Sequence, residues 1–149
     1  MSHTFHQLRY HLVFSTKDRQ ALIQESWEAR LHAYFGTVLE SKGAGLIAVG
    51  GIEDHIYLLM WAKPVHAPAE LVNTLKANSS RWISETFGAR EFAWQTGYGL
   101  FTVSHSVTPS VVEYIRGQRE HHRRFTFQEE FREMLRRHEM TWVEEYVWG

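Results

Sequence analysis

The chain has 149 residues, of which 44% are hydrophobic and 14% aromatic, a balance that excludes a disordered chain and fits one domain with its own core. It has no cysteine, which excludes disulfides and thiolate metal sites, and no apolar run approaches the roughly eighteen residues of a membrane span. A formal net charge of -1 excludes nucleic-acid binding by bulk charge, so such a contact needs a local basic patch, and 10 histidines direct attention to metal or proton chemistry.

Leu8, Tyr10, Leu12 and Phe14 alternate with Arg9 and His11, the pattern of a half-buried strand. Trp27, Leu31, Tyr34, Phe35, Val38 and Leu39 recur at helical spacing, with Gly43 as the stop. A second strand runs from Gly45 to Gly51, and Glu53-Asp54 turns into a third from His55 to Trp61. Pro64 and Pro68 introduce a second amphipathic helix bearing Leu71, Val72, Leu75, Trp82 and Ile83. Gly97 to Ser104 reads as a fourth strand. Thr108-Pro109 reads as a capping oxygen and a first-turn proline for a helix holding Val111, Val112, Tyr114 and Ile115. Thr126 to Glu129 is a capping box for a last helix with Phe127, Phe131, Met134 and Leu135 on one side.

Strand, helix, strand, strand, helix, strand is the split order of an α+β ferredoxin-like sandwich, here with C-terminal helices added. No linker or repeat interrupts it, so residues 1–149 are expected to form one domain, and the N-terminus carries no signal-peptide pattern, which makes the cytoplasm the expected compartment. In this fold the third strand is central and buried on both faces. His55 and Tyr57 stand two apart on one face of it, opposite Ile56, Leu58 and Met60.

Several blocks in order carry a family resemblance: Tyr10 to Lys17, Gly51 to His55, Leu75 to Ile83, Ala93 to Gly99, and Tyr114-Ile115-Arg116-Gly117-Gln118 followed by His121-His122. The chain resembles the single-tyrosine HUH transposases of small bacterial insertion sequences and their REP-associated relatives over nearly its whole length. The resemblance implies that Tyr114 attacks a DNA phosphate, leaving a 5′-phosphotyrosyl link, and that His55 and Gln118 hold a divalent cation, Mg²⁺ or Mn²⁺. It implies single-stranded or hairpin DNA as partner. It also implies a homodimer whose active sites join the histidine motif of one subunit to the tyrosine helix of the other.

Residues four apart share a helical face, so Tyr114 and Gln118 can address one phosphate. A phenol, with a pKa of about 10, is a weak nucleophile near neutrality and gains from a cation on the phosphate. Packing at a helix interface is the alternative role for Tyr114. The sequence departs from the family motif at Tyr57, which stands where a second ligating histidine belongs. A neutral phenol is a poor ligand for a hard cation, and packing or substrate contact stands beside ligation for Tyr57. His122 extends the stripe of Tyr114 and Gln118 and offers a replacement nitrogen. The preferred alternative makes His121 and His122 part of a solvated or phosphate-facing surface with Arg116, Arg119, Arg123 and Arg124. Lys76, Asn78, Ser79, Arg81 and Trp82 mark a second candidate DNA surface, with a solvated helix face as the alternative. Trp94 and Tyr98 are either base-stacking or packing aromatics. A catalytically impaired DNA-hairpin binder is the competing function, and a base-reading RNA-binding sheet is disfavoured by a metal-type histidine where stacking aromatics belong.

Overall fold

The computed structural model describes residues 3–149. Four antiparallel strands, β1 (Leu8–Ser15), β2 (Gly45–Ile52), β3 (His55–Ala62) and β4 (Gly99–Thr102), form one sheet in the order β2-β3-β1-β4. Helices α1 (Glu25–Ser41) and α2 (Pro68–Phe87) supply the two crossovers, which gives the expected ferredoxin-like topology. β4 is shorter than the sequence pattern implies, and the segment before it joins the end of β1 through Gln95 on Ser15 and an isolated bridge between Thr16 and Trp94.

The two sheet faces bury separate cores. Leu12, Phe14, Ile56, Leu58 and Met60 face Leu31, Phe35, Leu39, Val72, Leu75 and Ile83 of α1 and α2. The other face is covered by α3 (Thr108–Arg116), α4 (Gln118–His121) and α5 (Phe127–Arg137), whose Ile115, Phe127, Phe131 and Leu135 pack on Val13, Tyr57 and Leu59. β3 is buried on both faces from His55 to Met60, as a central strand requires, while Trp61 reaches solvent at its end.

One row across the sheet explains how the helices settle so low on it. Gly50, Tyr57, Val13 and Gly99 are paired in register, so the row that carries a fully buried tyrosine has a position without a side chain at each end. A Cβ on Gly50 would run into the backbone carbonyl of Ile115 in α3, and one on Gly99 would meet the Phe131 ring of α5 at 2.7 Å. The two glycines therefore let α3 and α5 close over the ring of Tyr57.

Two sequence expectations about helix ends resolve differently. Thr108 lies inside α3 rather than capping it. Its hydroxyl donates to the Ser104 carbonyl at 3.0 Å and accepts from Arg9 at 3.0 Å, so the start of the helix is tied to β1 instead. Thr126 does cap α5, accepting the Glu129 backbone N–H at 3.2 Å.

Candidate active site

His55 opens β3 and is fully buried. Asp54, in the turn before it, takes the His55 Nδ1 at 2.7 Å, which leaves Nε2 pointing at the Gln118 Oε1 at 3.3 Å. Gln118 follows Gly117, where α3 ends and the short α4 begins. The helical register survives the break, since the backbone N–H of His122 donates to the Gln118 carbonyl at 2.9 Å. Tyr114, Gln118 and His122 thus keep the common stripe their spacing implies. The Gln118 amide nitrogen donates to the Tyr114 carbonyl at 3.3 Å, and its oxygen also meets His122 Nε2 at 3.1 Å.

Glu130, in the first turn of α5, ties these parts together, and sequence reasoning missed it. Its side chain is only 3% exposed. One carboxylate oxygen, Oε1, accepts from the Tyr114 hydroxyl at 3.0 Å and meets His121 Nε2 at 2.7 Å. The other, Oε2, accepts from the Tyr57 hydroxyl at 3.0 Å and meets His122 Nε2 at 2.8 Å. The missed signal is positional: Phe127, Glu130, Phe131 and Met134 fall on one helical stripe, so Glu130 is an acid on the core-facing side of an amphipathic helix.

The electrostatics follow from that carboxylate. Burial alone would raise the Glu130 carboxyl, but the hydrogen bond and charge of His122 and the hydroxyls of Tyr114 and Tyr57 hold it below its usual range. Burial and the nearby Glu130 charge push the Tyr114 phenol well up. Burial, then Tyr114, then Glu130 does the same to Tyr57. Both tyrosines are held neutral as hydrogen-bond donors.

The other candidate residues divide between surface and interior. His122, read with His121 as part of a solvated or phosphate-facing surface, is turned onto Glu130 with its side chain 7% exposed. His121 is half-exposed. Arg116 is exposed, Arg119 donates to Glu28 of α1 at 2.6 Å, and Arg123 pairs with Glu120 at 3.3 Å. Lys76 turns inward, where its ammonium donates to the carbonyls of Gln95, Thr96 and Gly97 at 2.6–3.3 Å. Burial lowers its pKa to about 8. Ser79 is buried and accepts the Trp94 indole N–H at 2.9 Å, and Trp82 stacks on Tyr34 at 4.5 Å. Trp94 is a core residue, wedged edge-on against Phe14 and Phe92, whereas Tyr98 is 37% exposed. On α2, Asn78 and Arg81 remain at the surface, bonded to each other at 2.9 Å. α2 lies on the opposite sheet face from α3 and α4, so the two candidate DNA surfaces are not one continuous patch.

Sequence reading set the tyrosine helix against a partner's histidine motif. Within the single chain, Tyr114 already lies on its own motif, its ring 5.8 Å from that of Tyr57. No helix among the described residues is long and apolar enough to cross a membrane.

One face of a ferredoxin-like sheet thus gathers Tyr57, Tyr114, two histidines and a buried carboxylate, a candidate site on an α+β scaffold. The family model "Transposase IS200 like" matches residues 4–118, and the chain belongs to that family of transposases. It is 26% identical over 126 residues to the transposase of insertion sequence element IS200 from Salmonella typhimurium, covering 80% of this chain and 82% of the relative. It is 25% identical over 119 residues to the ISDra2 transposase TnpA of Deinococcus radiodurans, covering 76% of this chain and 85% of that one. A crystal structure assigned as a Deinococcus radiodurans transposase superposes with a TM-score of 0.64 at 25% identity, over 77% of this chain and 93% of that one. A REP-associated tyrosine transposase bound to a REP hairpin shares the fold, with a TM-score of 0.56 at 12% identity over 77% of this chain and 70% of that one.

Proposed function

We propose that this transposase cleaves and rejoins single-stranded DNA through Tyr114, at hairpin-forming ends of a mobile element, as one cytoplasmic nuclease domain spanning residues 1–149. The observation that carries the reading is the Tyr114 hydroxyl, held 3.0 Å from Glu130 beside His55, Gln118 and His122, in a chain of the IS200-like family. In the forward step the Tyr114 Oη forms a bond to the DNA phosphorus as the bond from phosphorus to the 3′ oxygen breaks. The phenolic proton leaves along the hydrogen bond to Glu130, and the departing 3′ oxygen takes a proton from water. Attack by a 3′-hydroxyl reverses the step and restores the phenol, so the broken bond is stored without a nucleotide cofactor.

The chemistry of the donor set fits a divalent cation, since imidazole nitrogens, a carboxylate and an amide oxygen converge and no thiolate is present. His55 and Gln118 would hold it, and when bound it supplies charge stabilisation at the phosphate. Arg116, Arg119 and Arg123, beside this centre, are the proposed phosphate contacts, with Asn78 and Arg81 as a second contact on the opposite layer. Lys76 contributes there by fixing the loop from Gln95 to Gly97.

A hairpin-binding relative without cleavage is the second reading, favoured by Tyr57 in the motif. Incubating the protein with hairpin-bearing single-stranded DNA and Mn²⁺ separates the two. A covalent protein–DNA adduct is expected in wild type and none in Tyr114→Phe, with hairpin affinity within a few-fold. An equal adduct in Tyr114→Phe removes Tyr114 as nucleophile, and retarded DNA without any adduct selects the binder.

A further inference from the structure

We propose that Glu130 and His122 complete the cation site that the motif leaves one ligand short, and that Tyr57 is not a ligand but the residue that holds Glu130 in place. The inference rests on the reading of His55 and Gln118 as ligands. Four side chains gather here: Gln118 Oε1 lies 3.3 Å from His55 Nε2 and 3.1 Å from His122 Nε2, and Glu130 Oε2 lies 2.8 Å from His122 Nε2. Ligand atoms of His55, His122 and Glu130, one from each, lie within 4.8 Å of one another.

The hydrogen-bond pattern itself calls for positive charge there. Asp54 takes His55 Nδ1, so the proton of a neutral ring sits on that side and the Nε2 lone pair faces outward. What it faces is another lone-pair donor, Gln118 Oε1, at 3.3 Å, and that amide is oriented by its own bond to the Tyr114 carbonyl. Two acceptors turned toward each other repel unless a proton or a cation lies between them. His122 Nε2 meets the same amide oxygen at 3.1 Å and Glu130 Oε2 at 2.8 Å, contacts that either a ring N–H or a cation satisfies. A divalent ion shared by all four atoms turns each of these contacts into attraction. An aspartate behind a ligating histidine is the support such sites use to fix ring orientation.

The geometry also assigns Tyr57. Its hydroxyl donates to Glu130 Oε2 at 3.0 Å. A phenol is a poorer ligand than a carboxylate for a hard cation, but its donated hydrogen bond can orient one. The carboxylate then links two functions, since its other oxygen holds the Tyr114 hydroxyl. His122 and Glu130 both lie beyond residues 4–118, so this chain makes up the missing histidine from its C-terminal helices. Two nitrogens and two oxygens favour Mn²⁺ over Mg²⁺, which prefers oxygen alone.

The test reads metal binding without DNA. In wild type, calorimetric titration of Mn²⁺ should show one site per chain. Pulsed electron paramagnetic resonance of the bound Mn²⁺ should show two coordinated imidazoles. Glu130→Gln and His122→Ala should each weaken Mn²⁺ by at least roughly tenfold, and Tyr57→Phe by about tenfold, as loss of an outer partner does. Tyr57→His should give no gain. Overturning results are a single imidazole in wild-type spectra, or tighter Mn²⁺ in Tyr57→His with Glu130→Gln unchanged. Absence of Mn²⁺ binding in wild type also overturns it. The wild-type spectra need no variant to fold, and adduct formation tests the function separately, so failure of the ligand set is distinguishable from failure of the transposase reading.

Discussion

At the residue scale, the histidines divide into those with partners and those without. His11 on β1 and His32 on α1 each carry a buried Nε2 that finds no hydrogen-bond partner among the described residues. His32 stands 3.8 Å from Glu28, which would be an ion pair if the ring were charged, but burial and then Arg119 lower its pKa to about 4. Burial and then His138 lower His11 to about 4 as well. The sign follows directly. Below about pH 6.5 the unfolded chain binds protons that the folded chain refuses, so stability is complete above that pH and is lost as pH falls toward 4. Each ring should cost on the order of 2 kcal/mol between pH 7 and pH 5. Urea unfolding at the two pH values should show that loss, and a His11→Gln, His32→Gln double variant should show much less of it. A wild type equally stable at pH 5 would mean that these rings are not held neutral.

At the element scale, α3 depends on a residue it does not contain. Gly50 lies under the Ile115 carbonyl, where any Cβ collides with backbone rather than with a side chain that can swing away. Gly50→Ala should therefore lift α3 and carry Tyr114 off Glu130. Overpacking of this kind costs about 1–3 kcal/mol, which exceeds the 0.4–1 kcal/mol gained by stiffening the unfolded chain. The expected result is a lower urea midpoint together with a larger loss of adduct formation than of hairpin binding. Unchanged adduct formation would show that α3 need not dock on β2. The strands and helices were largely legible because alternation and helical periodicity are local, and the shared face of His55 and Tyr57 was legible for the same reason. Glu130 was not, because its role depends on α5 folding back over β3, and the neighbouring Thr126–Glu129 cap drew attention to the acid one position earlier. The inward turn of Lys76 was not legible for a related reason. A lysine beside polar residues on a helix looks solvated until the loop from Gln95 to Gly97 is seen closing over it.

At the scale of the whole molecule, the decisive question is whether a site belongs to one chain or two. The family resemblance implies a homodimer with shared sites, and dimerisation itself remains compatible with this fold. The site, however, is closed within the chain. Ile115 is fully buried against the sheet above Gly50, and the Tyr114 hydroxyl is bound to the same carboxylate as Tyr57 and His122. Moving α3 onto a partner would expose Ile115, at a cost of about 1.5–3 kcal/mol, and would break the bond from Tyr114 to a charged acceptor, a further 1.5–3 kcal/mol or so. In a homodimer the partner's identical sheet would return both, so what favours the closed chain is the entropic cost of association that it avoids. We therefore expect each chain to act with its own tyrosine and its own histidine. Mixing Tyr114→Phe chains with His55→Ala chains tests this, because only a site built across the interface is rebuilt in a mixed dimer. Under conditions where wild-type protein forms adduct and subunits exchange, the mixture should stay inactive. Adduct on the His55→Ala chain, identified by its mass, would show instead that α3 leaves its own sheet to serve a partner, and the closed arrangement would then be a resting state.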